Sequence, residues 1–440
     1  MMYINRRNFV KLSLTALGGT ILTGCGGVGF SSATPTPNGY QFYKVMTRGE
    51  TIIADGERFK IDLFGGSVHL SNNGIITFDA VDENKRKGIF QIGVDLNKRT
   101  PLVDWKRVAL LIGDELADER VVSSYRSFDV DEHGNIAAVL EADIRASEDH
   151  YGAGLYVDVD QTGFEPVLIA GQTFNSGQSM SSGIFGDVSY SDKNVMTSAH
   201  HVATDHSSKS DSLMHIPDSN LDDMNILLSS GEIVTETNHT ASSFGLIDHN
   251  SSGEYSTDVF VANATLARSS ERNSQGSVKI KGNVNVPKNL QTRAINADSV
   301  VSDGAAYGTR ISSNGDIWSI QEINDDMTLF KNDVVIISTG DDTEVGEVLS
   351  ISPGALGTDG TYYFTAIVQN SAFAATTLFA ANGSEVIPIL SAADILSENG
   401  AHIKDILFGT TTKHVDSENR LAFLCALGDN TTSLIIGIPV

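Results

Sequence analysis

The chain has 440 residues, with 30 Lys and Arg against 55 Asp and Glu, for a formal charge of −25. A surface of that sign repels phosphate backbones and anionic headgroups, which sets aside nucleic acid as a partner and leaves cationic groups and divalent cations compatible. Two cysteines, Cys25 and Cys425, do not make a disulfide framework.

The chain opens with an address label. Asn5-Arg6-Arg7-Asn8-Phe9-Val10-Lys11 resembles a twin-arginine export pattern, and Leu12 to Gly24 is a short apolar stretch ending in small residues. It is shorter than the ~20 residues a spanning helix needs, and no other stretch approaches that length. Leu22-Thr23-Gly24-Cys25 resembles the bacterial lipoprotein cleavage box. The two resemblances imply that Arg6 and Arg7 direct export, that residues 1–24 are removed, and that Cys25 is acylated. The body is then anchored to a bacterial membrane, outside the cytoplasm. Residues 25–39, rich in Gly, Ser, Thr and Pro, read as the lipidated Cys and a flexible tether. With Cys25 committed to lipid, Cys425 has no partner for a disulfide. It sits in the apolar run Leu421 to Leu427, where a buried inert thiol is expected.

From residue 40 onward two markers alternate. The first is a turn closed by Gly74, Gly134, Asn194, Gly253, Gly315, Gly360 and Asn419, at intervals of 60, 60, 59, 62, 45 and 59 residues. An apolar residue follows two positions later each time: Ile76, Ile136, Met196, Tyr255, Ile317, Tyr362 and Leu421. Asn-Gly between alternating runs, as in Asn72-Asn73-Gly74, is a hairpin signal, because these residues accept positive φ. The second marker is a small residue followed by an acid or amide: Gly49-Glu50, Gly113-Asp114, Gly171-Gln172, Gly231-Glu232, Ala297-Asp298, Gly340-Asp341 and Ala393-Asp394.

Four short apolar or alternating runs fit between successive markers. In the first unit they are Val68 to Leu70, Ile75 to Phe78, Gly88 to Ile92 and Val108 to Ile112. Seven units of four strands predict an all-β chain: a seven-bladed β-propeller of four-stranded antiparallel blades over residues 40–440. The phase predicts the seam as well. Tyr40 to Arg48 ends at a second marker and reads as a fourth strand, and the chain finishes on a third strand, so strand 40–48 is expected to pair with strand 433–438 and close the ring. Asn419-Arg-Leu-Ala-Phe423 and Asn73-Gly-Ile-Ile-Thr-Phe78 are similar to the repeat of a bacterial propeller-like family with tandem N-x-x-G-x-x-A-F units. That resemblance implies the fold and carries no reaction.

Candidate chemistry lies where units depart from the pattern. Between the second and third runs, units two to four carry long connections: Ala146 to Tyr151 with His150, His200 to Ser212, and Ala264 to Gly276 with Arg268 and Arg272. His200, Asp205 and His206 are the candidates for general base work, and His150, His201, Arg268 and Arg272 for binding. The spacing matches no metal motif, and adjacent strand residues point to opposite faces, so His200 and His201 should not share an ion. No resident metal or cofactor is expected. Asp129-Val-Asp131 and Asp158-Val-Asp160 resemble the start of calcium loops but lack Glu at the twelfth position, where Leu140 and Ile169 stand; an Asp-stabilised turn accounts for them. The acids of the second marker are expected to serve a turn that every blade needs. No catalytic signature such as G-x-S-x-G or H-E-x-x-H is present. The reading is a lipid-anchored, non-catalytic envelope propeller that binds an envelope protein or polymer. The alternative is an extracytoplasmic hydrolase or lyase using the His200–His206 segment.

Overall fold

Successive side chains of a strand point to opposite faces, so a sheet buried on both faces reads as an unbroken apolar run. Leu421 to Leu427 is such a run. Leu421, Phe423, Cys425 and Leu427 pack with Leu378 and Leu390, whereas Ala422 and Leu424 pack with Phe78 and Ile92. Ile136 and Ala138 likewise join Ile89, while Ala137 and Val139 join Tyr190. The core is thus a series of apolar layers, each shared by two sheets.

A computed structural model describes residues 39–440 apart from 55, 99, 145–150, 175–177, 204–208, 235–238, 264–274, 286–290, 294–306, 324–325, 371–372, 384, 393, 397–401 and 410–412. Its strands form seven antiparallel blades in a ring. Blade one comprises Glu57–Leu70, Ile75–Asp82, Lys87–Asp95 and Leu102–Leu111; blade two, Arg120–Val130, Ile136–Ile144, Tyr151–Asp158 and Phe164–Ile169. Blade three is Gln178–Ser191, Asn194–Ala203, Lys209–Ile216 and Asn225–Ser229; blade four, His239–His249, Glu254–Asn263, Gln275–Asn283 and Gln291–Arg293. Blade five is Tyr307–Ile311, Ile317–Ile323, Asp326–Lys331 and Val334–Ser338; blade six, Gly346–Ile351, Tyr362–Gln369, Ala374–Asn382 and Glu385–Ser391. Blade seven takes Ile403–Leu407, Leu421–Leu427 and Thr432–Pro439 from the end of the chain and Tyr40–Thr47 from its start. Tyr40 lies opposite Pro439 and Thr47 opposite Ser433, the seam expected from the phase of the repeat. First strands of neighbouring blades pack on one another and line the axis.

At the first marker, Gly74, Gly134, Gly253, Gly315, Gly360 and Asn419 hold φ between 59° and 89°. Blade three differs from the expectation for Asn194. There Asp192 and Lys193 take the positive φ, a tighter two-residue turn, and Asn194 begins the second strand. A side chain three residues before the turn residue holds the turn from within. The Oδ1 atoms of Asp131, Asn250 and Asp416 each accept two backbone N–H groups, those of His133 and Asn135, Ser252 and Glu254, and Glu418 and Arg420. Turns of adjacent blades are also tied. Asn73 Nδ2 donates to His133 O, Ser313 Oγ to Thr358 O, Thr358 Oγ1 to Ser417 O, and Ser417 N to Asn72 Oδ1 across the seam.

The second marker does two jobs. Its acid or amide side chain accepts the N–H three residues back: Glu50 from Thr47, Asp114 from Leu111, Gln172 from Ile169, Glu232 from Ser229, Asp341 from Ser338 and Asp394 from Ser391. Its backbone brackets the next blade's first strand, Gly49 N donating to Ile61 O and Ile61 N to Glu50 O, with the same pattern at Val122, Ala241 and Val348. Immediately after each bracket a β-bulge skips one residue: Asp62, Ser123, Ser242 or Leu349. These six serve the turn, as expected; Ala297-Asp298 lies outside the described residues.

Antiparallel order gives the ring two ends. One, the turn face, carries the first-marker turns and the third-to-fourth connections. The other, the loop face, carries the second markers and the second-to-third connections. No helix among the described residues is long and apolar enough to cross a membrane.

Truncating Phe423 to Ala, which leaves a cavity at a fully buried ring flanked by Phe42 and Phe408, is expected to cost about 3–5 kcal/mol. Urea unfolding of the two proteins measures the loss.

Candidate functional site

Each first strand approaches the axis just before its turn. Five residues ahead of the turn residue stand His69, Asp129, Ser189, Asp248, Arg310, Ala355 and His414. Six of the seven are polar, and all seven are buried; Ala355 lies in the short strand Ala355–Leu356 and His414 outside any strand. Five of the side chains reach the next blade. Asp129 Oδ2 accepts Tyr190 N at 2.8 Å, Ser189 Oγ accepts His249 N at 3.2 Å, and Asp248 Oδ2 accepts Ile311 N at 2.8 Å. Arg310 Nε donates to Gly354 O at 3.0 Å, and His69 Nδ1 lies 3.2 Å from Asp129 Oδ1. A buried backbone N–H must find an acceptor, and here the acceptor comes from the preceding blade.

Lys413 joins this column across the ring. Its backbone O accepts Leu70 N from blade one. Its side chain leaves blade seven, donates through Nζ to Tyr190 O of blade three, and lies 3.7 Å from Asp129 Oδ2 of blade two. The Lys413 side chain therefore crosses the axial end of the ring at the level of the column, from blade seven to blades two and three.

The charges settle one another. Burial alone would lower the Lys413 ammonium, but Asp129, Glu132, Asp248 and Asp131 outweigh it and hold the group above the ordinary lysine value. Burial would raise Asp129, yet Lys413, His69 and the Tyr190 N–H keep its carboxyl well below the usual carboxylate range. Asp248 is the exception. Burial pushes it up to about 6, against the pull of Arg310, the Ile311 N–H and Lys413. Burial brings His249 and His414 down to about 3. His414 fits the neutral tautomer, with Nδ1–H donating to Ala422 O at 2.7 Å and Nε2 accepting Gly409 N at 3.1 Å. A lysine held protonated is no nucleophile, and a carboxylate held ionised is no acid. The column is a structural ion network, in which Asp248 titrates near neutrality.

The residues singled out in the sequence lie elsewhere. His200 and His201 stand in the strand Asn194–Ala203, because the strands run further than expected and leave only 204–208 as connection. Their side chains take different partners across the strand. His200 Nδ1 meets Asp211 Oδ1 at 2.7 Å and stays partly exposed. His201, expected on a binding surface, is 2% exposed; its Nε2 meets Ser212 Oγ at 2.7 Å, which meets Ser229 Oγ at 2.6 Å. Burial lowers the His201 imidazole, and the neighbouring His200 adds to the effect. Arg6, Arg7, Cys25, His150, Asp205, His206, Arg268 and Arg272 lie outside the described residues. Among the described residues no group of three or more His, Cys, Asp or Glu is placed to hold a metal ion. The two calcium-like stretches are used up locally: Asp131 also accepts Asn135 Nδ2, and Asp158 accepts Gly163 N and pairs with Arg107 at 2.6 Å. Trp318 stacks on Tyr362 at 5.1 Å, and Trp105 covers Gly93, where a Cβ would collide with its ring. Cys425 is fully buried, and burial raises its thiol.

The axial column was missed in the sequence. Its signal was present, as a polar position at fixed offset from every first marker, but it emerges only when the copies are stacked on Gly74.

No protein-family model matches the chain, and no curated protein matches it in sequence. Several solved structures are similar in fold. The β-propeller domain of the Trilobed protease from Pyrococcus furiosus is 9% identical, with a TM-score of 0.44 over 86% of this chain and 94% of that one. Virginiamycin B lyase from Staphylococcus aureus is 9% identical, with a TM-score of 0.38 over 90% and 99%. An oligogalacturonate lyase in complex with manganese is 8% identical, with a TM-score of 0.42 over 92% and 98%.

Replacing Lys413 with Met leaves buried carboxylates uncompensated. The expected loss is about 3–5 kcal/mol at pH 8. Asp129 contributes its stability above the carboxylate range and loses it as pH falls, so the gap between variant and parent narrows on acidification. Asp248 has the opposite sign. Its folded value of about 6 lies above the ordinary 3.8, so its ionised form opposes folding above about pH 4. Asp248→Asn is therefore expected to stabilise the protein at pH 8, by roughly 3 kcal/mol if the full shift is realised, with the gain vanishing below pH 4. Urea unfolding from pH 4 to 8 reads both trends.

Proposed function

We propose that the chain is an exported propeller, tethered to a bacterial membrane through Cys25, that serves as a non-catalytic binding or scaffold protein for an envelope protein or polymer. The observation that carries this reading is where the repeat varies. The turn face is tied blade to blade, and the Lys413 side chain crosses its axial end. On the loop face, the second-to-third connections of three adjacent blades, 145–150, 204–208 and 264–274, are longer than their counterparts after Asp82, Ile323, Gln369 and Leu427. Variable loops on a rigid ring are the usual place for recognition. The polymer or protein would meet His150, Arg268 and Arg272, while His201 supports blade three from inside.

A second reading has its own support. His200 and Asp211 form a partly exposed imidazole–carboxylate pair at 2.7 Å beside residues 204–208, a pairing that suits general base work in a hydrolase or lyase.

Photo-crosslinking in intact cells, with a reactive residue placed at position 268 or at Ser252 on the turn face, separates the outcomes. Adducts from 268 and not from Ser252 are expected. Adducts confined to Ser252, or none from either, would count against the binding reading. Turnover of an envelope polysaccharide by the purified body, lowered about 100-fold or more by His200→Ala, would replace it with the enzymatic one.

A further inference from the structure

The seam fixes more than the closure of the ring. Tyr40 begins the outermost strand of blade seven, and it begins at the turn face. Its hydroxyl donates to Asn419 O, within the first-marker turn of the same blade, at 2.8 Å, and lies 3.0 Å from Tyr363 Oη of blade six. Gly39 is held there too, its O accepting Val440 N at 2.6 Å. From Tyr40 the strand runs to Thr47 and delivers Gly49-Glu50 to the loop face. The chain that precedes residue 39 therefore leaves the ring from the turn face, at its rim.

Resting on the proposed acylation of Cys25, we infer that the turn face is the membrane-proximal face of the ring, and that the loop face of blades two to four points away from the bilayer. Lengths favour this. Residues 26–38 number thirteen, and a chain of that length reaches at most about 45 Å. The eight residues Tyr40–Thr47 set the height of a blade at about 26 Å. Bringing the loop face to the bilayer means drawing the preceding chain up the rim by that height, more than half of its full reach.

Charge keeps the near face from settling on the lipid. Among the described residues, Asp160, Asp192, Asp218, Asp222, Asp223 and Glu418 are exposed on the turn face, with Lys98 and Lys193 of opposite sign. Anionic headgroups repel such a surface over about 10 Å at moderate salt. The ring stands off on its tether and shows its variable loops outward.

The test uses the full lipid-modified chain, extracted from cells and reconstituted into phosphatidylcholine vesicles containing a trace of headgroup-labelled acceptor lipid. A fluorophore is attached at Ser252→Cys on the turn face or Glu344→Cys on the loop face; both positions are exposed, and Cys425 is buried. Several-fold stronger energy transfer from position 252 than from 344 is expected. An anchored chain with equal transfer, or stronger transfer from 344, overturns the orientation and leaves the anchor standing. Vesicle association that survives Cys25→Ser overturns the anchor and the orientation with it.

Discussion

A single ammonium group, set where an uncompensated charge is most costly, holds the axis of this ring together. Lys413 reaches from the last blade to the second and third, and its charge keeps Asp129 ionised inside the protein. Buried ion pairs add little stability over well-packed apolar groups, because desolvation consumes the Coulomb gain. What they add here is address. Layers such as Ile136, Ala138 and Ile89 between blades one and two resemble Ala137, Val139 and Tyr190 between blades two and three. Apolar packing of that kind tolerates exchange of similar shapes. The axial column does not, since the side chain changes at each step from His69 through Asp129, Ser189, Asp248, Arg310 and Ala355 to His414, and repeats only where blade seven adjoins blade one. Only the native blade order sets Lys413 against Asp129 and Arg310 near Asp248.

Around that axis each blade solves the same local problem with the same devices. The second marker caps its own turn and brackets the next first strand, so one short sequence both ends a blade and places its successor. The bulge that follows bends the first strand at a fixed point and adds to its twist. These contacts join neighbours in sequence, and a chain of such steps propagates as solenoids do. The seam is the contrary case. Tyr40–Thr47 must find Thr432–Pro439 across almost the entire folded body. Loop-closure entropy grows slowly with length, so the equilibrium penalty of so long-range a pairing is modest.

The fold was legible because its signals are local. Positive φ demands Gly or Asn, and a turn that must accept an N–H demands a side-chain oxygen; both leave letters at fixed intervals. Asn194 misled because blade three moved the positive φ one step earlier, to Asp192 and Lys193, which the pattern of glycines does not reveal. His200 and His201 were read into a connection because polar residues mark loops, yet the strand continues through both: its pairing with Lys209–Ile216 outweighs the local polarity. The axial network was least legible. Lys413 and Asp129 are separated by most of the sequence, and nothing near either residue announces the other. Asp129 stood two residues from a true turn acid, Asp131, and was read with it as part of one stretch. Burial then gave the two carboxylates different work, one capping a hairpin and the other facing the axis.

The division of labour between the two faces follows from this. A hairpin turn joining first and second strands sits close to the axis, where neighbouring turns touch and each substitution is felt by two blades; Asn72 alone receives Ser417 N from across the seam and donates its own N–H to Glu132 O. Second-to-third connections lie at the other end of the blades, away from these ties. Length itself varies on both faces, from the tight turn at Asp192 and Lys193 to the connections 217–224, 352–361 and 408–420 on the turn face and 264–274 on the loop face. The residues that obey the repeat report on architecture, and recognition has to be sought in those that break it.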